Sequence, residues 1–81
     1  ALGSSAQAGA TGTAIGAGAR ALNTNSTAVG FGANTNSFAN SVALGAGSQN
    51  SADNQVAVGG RTVSGVMAGT LSASSTEAVN G

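Results

Sequence analysis

The chain contains no cysteine, proline, histidine, tryptophan or tyrosine, and only two phenylalanines among 81 residues. Without cysteine neither a disulfide framework nor a thiolate metal site can arise, and the redox compartment is left open. Without histidine, and with Asp53 and Glu77 as the only carboxylates, the clustered groups that acid–base or metal chemistry requires are missing. No catalytic, cofactor-binding or metal-ligating residue is therefore expected, and the reading is non-enzymatic. Zero proline and the lack of a triplet period exclude collagen. Two basic residues against two acidic ones give no electrostatic footprint for nucleic acid. No apolar run approaches the ~20 residues of a membrane span, so this segment is expected neither to contact a membrane nor to include a signal peptide.

Large apolar side chains are scarce as well. The hydrophobic fraction is 41%, but alanine supplies 18 of those residues. Leu, Ile, Val and Phe together number only 14, a share more usual in disordered chains. Net charge is zero, however, so the repulsion that accompanies disorder is absent. Order must come from elsewhere.

It comes from a repeat. The phrases Gly12-Thr13-Ala14-Ile15-Gly16, Ser26-Thr27-Ala28-Val29-Gly30, Ser41-Val42-Ala43-Leu44-Gly45 and Gln55-Val56-Ala57-Val58-Gly59 share one pattern, and Ala1-Leu2-Gly3 is a clipped fifth copy. Their closing glycines lie 13, 14, 15 and 14 residues apart. A fixed short period means one supersecondary unit stacked on itself, which predicts a solenoid. Opening in mid-repeat at Ala1 implies an excerpt of a longer chain, with any targeting or anchoring segment outside it.

Each phrase alternates as a strand does. Thr13, Ile15, Thr27, Val29, Val42, Leu44, Val56 and Val58 share one face, and Ala14, Ala28, Ala43 and Ala57 share the other. An alanine-only face predicts two strands back to back across a very narrow interior, which turns the bulkier face outward in need of a partner. Gly16-Ala17-Gly18, Gly30-Phe31-Gly32 and Gly45-Ala46-Gly47 predict tight corners. Second strands are expected at Ala6-Gln7-Ala8, Ala19-Arg20-Ala21, Ala33-Asn34-Thr35 and Ser48-Gln49-Asn50. A second corner is expected near Gly9, Asn23, Asn36 and Ala52, with Asn in left-handed geometry. The pattern breaks after Gly59, and Ser74 with Glu77 gives a capping-box cue for a helix beginning as the sequence ends.

The repeats resemble the Ser-x-Ala-(Ile/Val/Leu)-Gly coils of the YadA-like head of trimeric autotransporter adhesins. The segment Arg61-Thr62-Val63-Ser64-Gly65-Val66-Met67-Ala68-Gly69-Thr70-Leu71, with Ser75-Thr76-Glu77-Ala78-Val79-Asn80-Gly81, resembles the neck of those proteins. Gln55 replaces the usual Ser, and Glu77 stands where Asp is common. The resemblance implies an all-β, left-handed parallel β-roll of ~14-residue coils over residues 1–60 and a neck over 61–81 leading to a coiled coil. It also implies a homotrimer on the bacterial cell surface, held in the outer membrane by a C-terminal domain not present here. Adhesion to host extracellular matrix or cells would be the function.

The expected trimer interface is Ile15, Val29, Val42, Leu44, Val56, Val58, Arg61, Val63 and Val66. Arg61 is expected to act structurally, pairing across chains or with backbone carbonyls. Phe31, Phe38 and Arg20 are candidate ligand contacts. The two phenylalanines can equally fill space around the 15-residue repeat, and Arg20 can equally be a solvated outer-strand residue. The Gly-x-Gly elements lack the strand–loop–helix context of phosphate loops and read as turn glycines. Calcium-binding repeats need an Asp in every turn, and ice binding needs ranked Thr-x-Thr rows that the repeats lack. Two readings stay open: a binding module, or a spacer within a trimeric surface fibre. A coherent stripe along all coils favours the first, and a uniformly polar outer surface favours the second.

Overall fold

A computed structural model of the chain describes residues 1–78. In chain order the strands are β1 (Gln7–Ala8), β2 (Thr13–Ile15), β3 (Arg20–Ala21), β4 (Thr27–Val29), β5 (Val42–Leu44) and β6 (Val56–Ala57). No helix occurs among the described residues. All pairings are parallel, and successive turns of the chain lie one on the next. The first sheet runs β2-β4-β5-β6, with Ala14 opposite Ala28, Ala28 opposite Ala43 and Ala43 opposite Ala57. Leu2 extends it by a bridge to Ile15. The second sheet pairs β1 with β3 and continues through single-residue bridges, Arg20 to Asn34 and Asn34 to Gln49. The expected first strands form in all four coils, whereas the expected second strands form over Gln7–Ala8 and Arg20–Ala21 and are reduced to single bridges at Asn34 and Gln49.

The interior is as thin as the alternation predicts. Ala14, Ala28 and Ala43 from the first sheet meet Ala19, Ala21 and Ala33 from the second in one buried cluster. With methyl groups as the only apolar filling, the sheets approach closely and no cavity opens among the described residues. Buried Ser26, Ser41, Ser48, Thr35 and Asn50 complete the interior, a polar share that the alternation of the repeats does not predict. Ser26, Ser41, Ser48 and Asn50 donate to backbone carbonyls, as most buried polar groups do, while Thr35 Oγ1 has no partner among the described residues. Ser26 Oγ donates to Phe38 O of the next coil at 3.1 Å, and Ser41 Oγ to Ala39 O at 3.0 Å and Ala52 O at 3.3 Å. The serine that opens the strand phrase is therefore a stitch between coils. Gln55 does a different job: its Oε1 accepts the Ser51 N–H at 2.8 Å and closes its own corner.

The corners explain the unequal spacing. In the second corner the left-handed residues are Asn25, Asn40 and Asn54, with φ of 53°, 52° and 57°. The corners fall where expected, near Gly9, Asn23, Asn36 and Ala52, but the left-handed residue is Asn25 and not Asn23, and Asn54 and not Ala52. Asn36 is left-handed as well, with φ 56°, so the third coil has two left-handed asparagines in this corner where its neighbours have one. That is how it absorbs its extra residue. The helix cue is corrected too. Glu77 does not reach back to Ser74; its N–H donates to Ser75 Oγ and its Oε1 accepts the Thr70 N–H at 2.8 Å. Any helix beyond, with Val79, Asn80 and Gly81, lies outside the described residues.

Candidate binding surface

Because alanine faces inward at every middle position, the flanking β-branched and leucine side chains are forced outward. Leu2, Ile15, Val29 and Leu44 form one row across the first sheet, by register, and Thr13, Thr27, Val42 and Val56 form a second. Leu2 is 68% exposed, Ile15 41%, Leu44 48% and Val56 62%, while Val29, Val42 and Val58 are half-buried by their neighbours. Scattered apolar residues are normal on a surface, but ranked rows across four coils form a contiguous patch of the kind that marks an interaction site. Nothing within the described chain covers it.

The expected interface residues of the tail divide. Val63 is exposed and Val66 half-buried, with Met67 and Leu71 exposed beside them. Arg61 is engaged within its own chain. Its Nη2 donates to Ala46 O at 2.8 Å, and its Nη1 to Val58 O at 3.2 Å and Ser48 Oγ at 3.4 Å.

The three candidate ligand contacts do not converge. Phe31 projects from the first corner, 71% exposed, whereas Phe38 is half-buried in the second corner, with Asn34 of the second sheet between them in the coil. Arg20 is exposed on β3, on the outer face of the second sheet. There it belongs to a row that sequence reading treated only as strand: Gln7, Arg20, Asn34 and Gln49 are consecutive register partners. The signal was present, since the middle residue of each expected second strand is long or amide-bearing: Gln7, Arg20, Asn34 and Gln49.

The carboxylates are apart and each is engaged by backbone. Asp53 Oδ1 accepts the Ala39 N–H at 2.9 Å. The hydrogen bond from Thr70 holds the Glu77 carboxyl below its ordinary pKa. No group of three or more His, Cys, Asp or Glu side chains that could hold a metal ion exists among the described residues. What the arrangement offers chemically is surface: an apolar face on one sheet, a polar row on the other. Comparison with protein-family models, curated proteins and solved structures returns no match to the chain.

Proposed function

We propose that this chain is the head and neck of a non-enzymatic, homotrimeric bacterial surface adhesin, a left-handed parallel β-roll over 1–60 followed by a neck over 61–81. The supporting observation is the outward row Leu2, Ile15, Val29 and Leu44. An alanine interior leaves too little aliphatic burial inside one coil stack, and a second and third copy supply the missing area by covering these rows at a common axis. The apolar tail residues Val63, Met67 and Leu71 then pack across chains. The remaining surface, three copies of it, faces outward to matrix proteins or host cells, and weak contacts add by avidity. The protein would stand on the bacterial surface, anchored in the outer membrane through a domain beyond this sequence.

A spacer role is the second reading. The polar, sparsely charged outer face of the second sheet favours it, since such a face resists adhesion. Sedimentation of the native chain tests the assembly: a trimer is expected, and a folded, monodisperse monomer overturns it. Surface plasmon resonance of the trimer over collagen, fibronectin and laminin then separates the readings. Binding that survives moderate salt supports the adhesin, because four charges per chain give little electrostatic steering. No binding across a broad panel, with the fold verified, supports the spacer.

A further inference from the structure

Of the four charged side chains, three are engaged internally. Asp53 holds the Ala39 N–H, Glu77 holds the Thr70 N–H, and Arg61 holds two carbonyls and a hydroxyl. All four are exposed, but Arg20 alone has no hydrogen-bond or ionic partner among the described residues. It is flanked by Gln7 on one side and by Asn34 and then Gln49 on the other. Gln7 and Gln49 are exposed, and neither side chain has a hydrogen-bond partner among the described residues. Asn34 Oδ1 accepts the Asn36 N–H at 2.7 Å, which leaves its amide NH₂ for an outside acceptor.

Four planar polar groups thus stand in one row at the ~4.8 Å step between strands, a span of roughly 14 Å. We propose that this row binds an acidic polysaccharide laid along the stack, with a carboxylate or sulfate on Arg20 and hydroxyls on the amides. Each amide both donates and accepts, as a run of hydroxyls requires, and the guanidinium fork matches a planar or tetrahedral oxyanion. The row carries one positive charge and no carboxylate, so its charge complements an anion. A single cation is too little for nucleic acid, whose binding rests on many phosphate contacts. The row has no apolar anchor for a protein hot spot. The inference rests on the proposed reading in one respect: with the first sheet covered by other copies, the second faces out and is presented three times.

The test is surface plasmon resonance of the native protein over heparin (sulfated), hyaluronan (carboxylate only) and dextran (neutral). Retention on one or both acidic polymers and not on dextran is expected. Arg20→Gln should lower it about tenfold, the worth of one charge-assisted contact, and Gln49→Ala by a smaller factor. Both variants should keep the native melting temperature, since these side chains touch nothing internal. Equal retention on dextran, unchanged binding by Arg20→Gln, or no retention on either acidic polymer overturns the proposal. A monomer in sedimentation that still shows Arg20-dependent retention would sink the trimer while sustaining the polysaccharide site.

Discussion

Arg61 Nη2 donates to the carbonyl of Ala46 at 2.8 Å, in the place where every earlier coil receives a backbone N–H. The carbonyls of Ser4, Ala17 and Phe31 accept from Gly18, Gly32 and Gly47 of the following coil, each at 2.9 Å. Ala46 has no following Gly-x-Gly corner, and the guanidinium supplies the donor instead. Beside it, Ser48 Oγ donates to Leu44 O at 2.7 Å, where the carbonyls of Leu2, Ile15 and Val29 accept from Gly16, Gly30 and Gly45. The stack therefore ends at a side-chain cap in which Arg61 and Ser48 stand in for the backbone donors of the earlier corners.

Removing the cap should loosen the last coil. Arg61→Ala is expected to cost about 1–2 kcal/mol, since charge-assisted bonds to two carbonyls are lost at a partly solvated end. The melting temperature should fall by about 4–8 °C per kcal/mol for a domain of this size. Arg61→Lys should restore little, because a single ammonium cannot span Ala46 and Val58 as the planar fork does. A thermal melt that is unchanged in Arg61→Ala would show the cap to be passive.

The corner glycines make a sharper test because two of them in one corner differ in backbone conformation and in free space. Gly30 has φ 128°, and a Cβ there would lie 2.6 Å from the backbone carbon of Gly45. Gly32 has φ 68° and nothing within 4 Å of that position. Gly32→Ala should cost only the left-handed penalty of about 1–2 kcal/mol. Gly30→Ala must in addition push two coils apart, and it should abolish the cooperative transition in circular dichroism. Equal melting of the two variants would remove the close stacking of corners from the account.

How much of this was readable beforehand follows from period and size. A two-residue alternation with alanine at every middle position has one sensible packing, so the inward and outward faces were legible. The place of the second corner was legible too, but not which residue turns left-handed there. Asn23 and Asn25 are two residues apart, and both suit a left-handed turn by propensity. Coil-to-coil pairing chooses between them: the Asn25 N–H reaches Thr11 Oγ1 at 2.9 Å, and its Nδ2 reaches Asn40 Oδ1 at 3.1 Å. The polar interior was hidden for a related reason. Ser26, Ser41 and Asn50 carry turn-forming side chains, and only the folded coil shows that Asn50 Nδ2 reaches across to Val42 O at 3.1 Å and Gln55 O at 3.0 Å. The Gln7–Arg20–Asn34–Gln49 row needed the register of the second sheet before its members became neighbours.

Acid should open the loop between Thr70 and Glu77 without unfolding the coils. The Thr70 N–H bond lowers the Glu77 pKa, so the folded form holds the carboxylate more tightly than the unfolded chain does. The contribution is then fully present above the ordinary carboxylate range and is lost as pH falls through the lowered value. In an NMR titration the Thr70 amide should shift with that lowered midpoint, and Glu77→Gln should remove the shift. A Thr70 amide that does not respond to pH would mean the loop is not closed by this carboxylate.

The last prediction separates the two roles that residues after Gly60 combine. Arg61 caps its own chain, whereas Val63, Met67 and Leu71 are exposed and find cover only against other copies in the proposed trimer. A chain ending at Gly60 lacks both functions, and one ending at Thr62 keeps the cap alone. If the tail clamps neighbouring chains, the Thr62 form should melt below the full chain and dissociate at higher concentration in sedimentation, with the Gly60 form lower still. If the cap is the only contribution, the Thr62 form should match the full chain in both measurements and only the Gly60 form should fall. Burial of three or four apolar side chains is worth roughly 1.5–3 kcal/mol apiece as an upper bound, so a clamp of that kind would be visible as a shift well beyond the cap alone. A Thr62 form indistinguishable from the full chain would reduce the tail to a linker.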